Sequence, residues 1–320
     1  MNQVANRKLS IVIPTFNRSD FIRCSLQVHV PLARKFGISI YISDNCSTDD
    51  TAEVVRGWME EYPFLHYSRN EKNIGAEGNF EIALTLPETD YVWLFGDTYR
   101  VPDDGFEYLL KLFEQAEYAA VVTNLIGKLD FPAKAYTDNS ELLADVGGLM
   151  SCLSCLVLNK KLISAAAFSR YHGSYFIHTG IVLEYVAAQR AQVYWAGDLS
   201  VLNLFSDVLS KKNWANTERV IEVGVEKWVN FIFSLPPRYS LASKLKAARS
   251  FGLLSWRGIG LMRAEGFLTR SLIGRYKDAF KLAVSNQKKF YALFVICLLP
   301  VSFVKGGINA FRKYRSRSDV

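Results

Sequence analysis

A single carboxylate, Asp97, follows five residues of predicted buried strand in the stretch YVWLFGDTYR. A carboxylate just past the end of a buried strand is a usual place to meet a metal ion or a phosphate-bearing ligand. Hard divalent cations need several oxygen ligands, commonly two carboxylates together with phosphates. The next residues are Thr98, Tyr99 and Arg100, so the position is a metal site that has lost a ligand, a site that works without metal, or a turn.

Three more polar loops follow predicted strands. They read PTFNRSD from Pro14, DNCSTDDT from Asp44 and RNEKNIGAEGNF from Arg69. Asp44 could accept a hydrogen bond from a base or ribose, although the Ser, Thr and Asp that follow it also suit a helix cap. The third loop marks a tight turn that would aim a helix N-terminus at a ligand. Four successive strand ends with such loops are a stronger signal than any one of them.

The elements that would position these loops alternate in type. Strands are predicted at 9–13, 38–43, 64–68, 91–95 and 118–124, with helical patterns between them. This alternation predicts an α/β fold with a mostly parallel, Rossmann-like sheet and helices on both faces. A ligand of such a sheet is expected at the carboxyl ends of its strands. After about residue 213 the pattern is helical throughout.

The charge is distributed unevenly along the chain. Residues 1–210 carry 17 Lys and Arg against 25 Asp and Glu, a net charge of −8, and residues 211–320 carry 21 against 6, a net charge of +15. A basic last third predicts an anionic partner, and the cytoplasmic membrane leaflet suits it. Nucleic acid is not predicted, since no RNP-type or helix-turn-helix signature accompanies the charge.

The cysteines and the N-terminus bear on the compartment. Five scattered cysteines favour a reducing compartment, and the N-terminal residues contain no apolar stretch of signal-peptide length. The pair Cys152 and Cys155 is interpreted as part of a buried strand over 150–158.

The segments LSIVIPTFNR, ISDNCSTDDT, NIGAEGN and YVWLFGD occur in an order and at spacings that resemble the family 2 glycosyltransferases of GT-A fold. The similarity is strong over about 8–125, weak to residue 215, and greatest to bacterial enzymes that build O-antigen and other surface polysaccharides. It implies a nucleotide-sugar half at 8–125, an acceptor half at 126–215, and outside them a basic helical region at 216–320.

The resemblance implies roles for particular residues. The nucleoside would be surrounded by Pro14, Thr15, Phe16, Asn17 and Arg18. Asp44 would read the base or ribose, and the diphosphate would lie near Asn73, Gly75 and Asn79. Asp97 matches the first acid of the D-x-D metal motif of the family.

The chain departs from the family at Tyr99, which takes the place of the second acid. Three readings stay open here. Asp97 alone holds Mg²⁺ or Mn²⁺ with the diphosphate and waters, or a cation such as Arg100, Lys211 or Lys212 replaces the metal, or catalysis has been lost. Asp103 and Asp104 are interpreted as helix-capping residues rather than replacement ligands.

Sugar transfer by direct displacement needs a base on the acceptor hydroxyl. The family places this base in a later loop and helix, which here reads SRYHGSYFIHTGIVLEYV without an adjacent acidic pair. The candidates are His178 and Glu184, followed by Asp198, with His172 in the same stretch.

The last third carries membrane-like signals. Residues 290–304 are uncharged and almost wholly apolar, but at about 1.5 Å per residue they fall short of the roughly 30 Å hydrocarbon thickness. With the basic residues around them they predict peripheral attachment to the cytoplasmic face of the membrane.

The sequence therefore predicts a cytoplasmic, membrane-associated hexosyl- or deoxyhexosyltransferase. It would move a sugar, with inversion, from a nucleoside-diphosphate donor to a glycan acceptor that is lipid-linked. The alternative is a catalytically inactive nucleotide-sugar-binding or scaffold subunit, which the Tyr99 substitution favours.

Overall fold

The computed structural model describes residues 4–205, 217, 219–251 and 253–318 of the chain. The chain divides into two compact units. The first comprises Met1–Ser210 and Pro236–Tyr239, and the second comprises Lys211–Leu235 and Ser240–Val320.

The first unit contains nine strands and seven α-helices among its described residues. The strands are β1 Leu9–Thr15, β2 Ser39–Asp44, β3 Leu65–Arg69, β4 Tyr91–Leu94, β5 Tyr99–Arg100, β6 Ala120–Leu125, β7 Lys134–Tyr136, β8 Leu156–Asn159 and β9 Val193–Asn203. The helices are α1 Ser19–Phe36, α2 Thr51–Glu61, α3 Gly75–Thr85, α4 Gly105–Gln115, α5 Asn139–Val146, α6 Lys160–Ser164 and α7 Ile177–Gln189.

The strands form one mixed sheet in the order β3-β2-β1-β4-β8-β6-β9-β5, with β7 paired to β9. Strands β3, β2, β1 and β4 are all parallel, and β8 enters antiparallel between β4 and β6. Every residue of β1 and β4 is buried, as central strands covered on both faces require. The predicted α/β architecture with a mostly parallel sheet is confirmed.

Helices cover the sheet in two groups. Helix α1 contacts α2 and α4, whereas α3 contacts α6 and α7 and packs on β1, β2 and β4. This arrangement follows from strand–helix alternation. Consecutive parallel strands must start at the same end of the sheet, so the helix between them crosses back over one face.

The strand predicted over 150–158 is wrong in its first half. Two short 3-10 turns, Leu149–Ser151 and Leu153–Cys155, precede β8. An apolar run by itself does not separate a strand from other buried backbone, so its length was overestimated.

The second unit is helical. Its helices are α8 Arg219–Ile221, α9 Trp228–Ser234, α10 Leu241–Arg249, α11 Trp256–Ala264, α12 Arg270–Arg275, α13 Lys277–Ala283, α14 Gln287–Ile296 and α15 Val301–Ser318, with a π-helical stretch at Glu222–Lys227. Its core includes Trp228, whose indole Nε1 donates to the Ala247 carbonyl at 3.0 Å, and Phe280.

In the described part of the chain, no helix taken alone has both the length and the hydropathy of a membrane span. Helices α14 and α15 satisfy the length and apolar criteria only as a pair, and they meet at an angle of 106°.

Two histidines are buried in the first unit, and both are neutral at pH 7. Burial lowers the pKa of His29 and of His178 to about 4. Nε2 of His29 accepts from the Val101 N–H at 3.1 Å, and Nε2 of His178 lies 3.1 Å from the Ser151 carbonyl, to which it donates. A charged imidazole at either position would be desolvated.

A close approach between helix α7 and the preceding 3-10 turn Phe168–Tyr171 depends on a glycine. A Cβ added at Gly180 would lie 2.4 Å from the Tyr171 ring. By contrast, a Cβ at Gly57 in α2 would meet no atom within 4 Å.

We expect Gly180→Ala to lower the free energy of unfolding by about 1–3 kcal/mol, because an overpacked core must shift to relieve the clash. The matched control Gly57→Ala should instead raise it by about 0.5–1 kcal/mol, since alanine loses less backbone entropy in a helix. Urea unfolding followed by circular dichroism measures both. Equal stability of Gly180→Ala and the wild type would contradict the packing described here.

The buried histidines predict a loss of stability with acid. Their pKa rises from about 4 to about 6.5 on unfolding, so the unfolded state takes up protons as pH falls through this window, and the folded state is disfavoured. As the pH falls from 6.5 to 4, each histidine lowers the free energy of unfolding by up to about 3 kcal/mol.

Urea unfolding of His178→Gln at pH 7 and pH 4.5 tests this. The variant should lose less stability between the two values than the wild type, whereas His172→Gln, at an exposed position, should match the wild type. An unchanged pH dependence in His178→Gln would show that His178 titrates normally in the folded protein.

Candidate functional site

The carboxyl ends of three parallel strands bring the predicted loops together. Thr15 at the end of β1 is in register with Asp44 at the end of β2. Beyond β4, the Phe95 N–H donates to the Val12 carbonyl at 2.9 Å, so β4 leads toward Asp97 beside the loop after β1. The loops therefore meet at one edge, as expected for this sheet.

Asp44 is completely buried and has fixed partners. Its Oδ1 accepts from the Ser47 N–H at 2.9 Å, and its Oδ2 accepts from the Tyr67 hydroxyl at 2.5 Å. The Arg69 Nε lies 3.7 Å from the same Oδ2. Burial and the Asp44 carboxylate together raise the pKa of Tyr67. The sequence analysis did not assign a role to Tyr67, on the predicted third strand, or to Arg69, at the start of the loop that follows it.

The loops after β1 and β2 are tied to each other. The Asn17 N–H donates to Ser47 Oγ at 2.8 Å, and Asn17 Oδ1 accepts from the Thr48 N–H at 2.7 Å. The backbone at Asn17 and Cys46 is left-handed, with φ of 51° and 68°. Asn17 thus holds the loop, and its side-chain oxygen is engaged by the Thr48 N–H.

Three neighbours of Asn17 are placed differently. Pro14 is buried within β1, Phe16 is exposed, and Thr15 is 4% exposed. The Oγ1 of Thr15 has no hydrogen-bond partner among the described residues. A buried hydroxyl without a partner at the carboxyl edge of the sheet is suited to a polar ligand.

The turn before α3 is built from amide side chains. Asn73 Oδ1 accepts from Asn45 Nδ2 at 2.8 Å and from the Gly75 N–H at 2.9 Å. Asn79 accepts from Ser43 Oγ at 2.8 Å and donates to the Ser43 carbonyl at 2.9 Å. Gly75 has φ of 80°, a conformation that glycine adopts without strain. These contacts fix the N-terminus of α3 next to the end of β2.

Asp97 forms a bidentate pair with Arg18. Nε of Arg18 lies 2.6 Å from Oδ2, and Nη2 lies 3.0 Å from Oδ1. The guanidinium carbon is 3.6 Å from the centre of the Phe21 ring. Burial raises the pKa of Asp97, and the guanidinium partly offsets this effect. Sequence analysis assigned Arg18 to the nucleoside loop and did not foresee this pair.

Tyr99 and Arg100 form the short strand β5, in which Tyr99 pairs with Asn203 of β9. Burial raises the pKa of the Tyr99 phenol, whose nearest ionisable neighbours are Cys152 and Cys155. Arg100 lies 3.3 Å from Asp103, so its charge is shared with a carboxylate of the same turn.

The capping expected from the two acids after β5 is wrong. Asp103 pairs with Arg100, and Asp104 occupies the N-cap of α4 but makes no side-chain capping hydrogen bond. Glu107, in the first turn of the same helix, pairs with Lys111 at 2.6 Å.

The candidates for the base lie in three different environments. His178 is only 2% exposed and its pKa lies near 4, which argues against proton abstraction at pH 7. Glu184 accepts from the Tyr171 hydroxyl at 2.6 Å and from Arg170 at 3.0 Å. Asp198 is an exposed residue of β9. The base stays a prediction.

A connection between α3 and the loop before α7 was not foreseen. The Glu77 carboxylate accepts from the N–H groups of Gly173 and Tyr175, each at 2.7 Å. Glu81 lies 2.9 Å from Nε2 of His172. Tyr175 has a left-handed φ of 71°, which is uncommon for a tyrosine. Two glutamates four residues apart were the only signal in the sequence.

A metal site does not follow from these contacts. Within the described ranges, no three His, Cys, Asp or Glu side chains are grouped so as to hold a metal ion. Both oxygens of Asp97 are bound to Arg18. Lys211 and Lys212, predicted as alternative cations, lie outside the described residues.

Comparison with solved structures shows the fold. The structure is similar to that of S. aureus TarS 1-349 in complex with UDP-GlcNAc, with a TM-score of 0.56 and 16% identity over 90% of this chain and 84% of TarS 1-349. It is also similar to mannosyltransferase PcManGT from Pyrobaculum calidifontis in complex with GDP-Man and Mn²⁺, with a TM-score of 0.53 and 18% identity over 92% and 88% of the two chains. The fold is that of the GT-A glycosyltransferases.

Comparison with curated proteins gives relatives of the N-terminal region. Abequosyltransferase RfbV of Salmonella typhimurium is 28% identical over 200 residues, which are 55% of this chain and 60% of RfbV. The uncharacterized protein Rv1520 of Mycobacterium tuberculosis is 30% identical over 111 residues, 34% of this chain and 31% of Rv1520. This chain thus spans 60% or less of the length of these relatives. Residues 10–143 match the sequence model of glycosyl transferase family 2.

Proposed function

We propose that this protein is a glycosyltransferase that moves a hexosyl or deoxyhexosyl group from a nucleoside-diphosphate sugar to a glycan. The observation that carries the proposal is the convergence of Thr15, Asp44 and the Arg18–Asp97 pair at the carboxyl edge of the parallel strands. The similarity to an abequosyltransferase, and to TarS with its UDP-GlcNAc, supports a role in bacterial surface polysaccharide synthesis.

The nucleoside half of the donor would lie over the loop after β1. The exposed Phe16 ring offers a stacking surface, and Thr15 Oγ1 offers a buried hydrogen-bonding group without a partner of its own. Asp44 would act at the base or ribose, with Tyr67 holding the carboxylate in place. The diphosphate would then approach the N-terminus of α3, whose turn is fixed by Asn73 and Asn79.

The main requirement of the reaction is a positive charge that stabilises the leaving diphosphate. The similarity to a mannosyltransferase solved with Mn²⁺ makes a divalent cation plausible. The described residues, however, supply one carboxylate in place of the usual two, and that carboxylate is neutralised by Arg18. They do not fit a metal as they stand. We therefore assign the positive charge at the diphosphate to Arg18, which is held and oriented by Asp97.

The acceptor hydroxyl would displace the nucleoside diphosphate at the sugar carbon. This displacement requires a base that takes the proton of the hydroxyl. Of the candidates Glu184 and His178, the exposed fraction favours Glu184, at 30% of its side chain, over the enclosed His178. Inversion at the sugar carbon, a lipid-linked acceptor and a cytoplasmic location complete the proposal. They rest on the resemblance to the family and on the sequence.

A second function is favoured by one observation. Tyr99 replaces the second acid, and Asp97 is already paired, so a catalytically inactive nucleotide-sugar-binding or scaffold subunit would carry the same contacts. Such a protein would bind the donor without turnover.

Thermal-shift measurements with UDP, GDP, CDP and dTDP, each with Mn²⁺ and with EDTA, test the donor site. A diphosphate present at about 100 times its Kd should stabilise the protein by about 2.7 kcal/mol. We expect one of the four to do so equally in EDTA, and Arg18→Gln to remove the shift. Arg23→Gln, an exposed change on the same helix, is the matched control and should keep it.

Two other results have distinct meanings. A shift that requires Mn²⁺ and survives in Arg18→Gln would assign the charge to a metal held by Asp97. A protein that no diphosphate stabilises under either condition would lack a donor site, and the proposed function would fail.

Turnover measurements on Glu184→Gln test the base. General-base catalysis contributes about 10²–10⁴-fold, so kcat should fall at least about 100-fold while the KM for the donor stays unchanged. Glu114→Gln, an exposed change on α4, serves as control. If Glu184→Gln and His178→Gln both retain wild-type turnover, the base lies elsewhere in the chain. Donor binding without turnover in the wild type would instead favour the inactive subunit.

A further inference from the structure

Helix α14 presents an apolar stripe to solvent. Tyr291, Val295 and Leu298 follow one another at helical spacing and are 65%, 62% and 63% exposed. The opposite side of the same helix is buried through Phe290 and Leu293. A helix whose buried side already packs on its own unit does not need a second apolar side for folding.

The stripe continues through the bend into α15. Leu299 is 41% exposed and Phe303, in the first turn of α15, is 69% exposed. The exposed apolar side chains of these two helices are therefore concentrated around the bend between them. This region is called the α14–α15 tip below. A contiguous exposed patch of this kind marks an interaction surface more often than a set of single apolar residues does.

The bend is built into the second unit. Arg263 of α11 donates through Nη2 to the carbonyls of Cys297 and Leu299, at 3.2 and 2.6 Å, and through Nη1 to that of Leu268 at 3.2 Å. It thereby satisfies carbonyl groups that the end of a helix leaves without partners. Straightening α14 and α15 into one span would break the hydrogen bonds from Arg263 to Cys297 and Leu299.

The sequence around the tip is rich in positive charge. Residues 279–318 contain eight Lys and Arg and no Asp or Glu. Lys288 and Lys289 lie in the first turn of α14, and Lys289 Nζ is 5.4 Å from the ring centre of Trp256, itself 59% exposed. Exposed Trp and Lys beside an apolar tip is the arrangement of a helix that lies at a bilayer interface.

We propose that the α14–α15 tip inserts its apolar side chains into the interfacial region of an anionic lipid bilayer, while the surrounding Lys and Arg contact the headgroups. The tip attaches to one leaflet and does not cross the membrane, because the two helices meet at 106°. A second copy of this chain is a poorer occupant, since it would bring the same positive charge to the same face. The inference is independent of the proposed glycosyl transfer.

Vesicle co-sedimentation of the full chain tests the proposal. We expect the wild type to bind vesicles that contain phosphatidylglycerol, to bind phosphatidylcholine vesicles at least about tenfold more weakly, and to lose binding as salt screens the charge. The double variant Val295→Glu, Leu298→Glu should lower the binding to phosphatidylglycerol vesicles at least about tenfold.

Met59→Glu, a change of the same kind at an exposed apolar residue of α2, should bind vesicles as the wild type does. Circular dichroism of both variants checks that they fold, and light scattering without lipid gives their oligomeric state. Equal binding of the double variant and the wild type, or no binding of the wild type, would overturn the proposal. A wild-type dimer that the double variant dissociates would assign the tip to a second copy and would overturn it as well.

Discussion

The parallel pairing of β1 with β2 and β4 is the constraint on which the candidate site depends. Hydrogen bonds along β1 set Thr15 opposite Asp44, and the bond from Phe95 to Val12 brings the end of β4 to the same edge. Because these strands are buried on both faces, their ends cannot move independently without exposing core residues. The polar residues that follow the strands are therefore neighbours in space although they lie about 30 to 80 positions apart in the sequence.

Most of the polar side chains at this edge form hydrogen bonds with the backbone of the protein's own loops. Asn17 fixes the loop after β2, and Asn73 and Asn79 fix the turn into α3. An amide satisfied by the protein in this way costs little to bury, and the loop that it holds loses less entropy on binding. Besides the Arg18–Asp97 pair, the groups left for a ligand are few, chiefly Thr15 Oγ1 and the Phe16 ring.

The buried Arg18–Asp97 pair gives the site its electrostatic character. Removing two charges from water is expensive, and the short bidentate geometry offsets this cost only while both partners are present. Such a pair is weak evidence for stability, and its place at the carboxyl edge of the sheet is the basis of its proposed role in binding. The second unit differs, since its Lys and Arg are concentrated in the same part of the sequence as its exposed apolar side chains.

The sequence by itself determined the order of strands and helices and the loops that meet at the sheet edge, because hydrophobic periodicity and turn residues are local signals. It also indicated the basic, apolar last third. Only the tertiary structure decided which groups are hydrogen-bonded to each other. These contacts are Arg18 with Asp97, Tyr67 with Asp44, Glu77 with the loop before α7, and Arg263 with the bend between α14 and α15. It also showed that His178 is enclosed and that β8 runs antiparallel. These features join residues distant in sequence, and their distances and desolvation follow from packing, which no local pattern encodes.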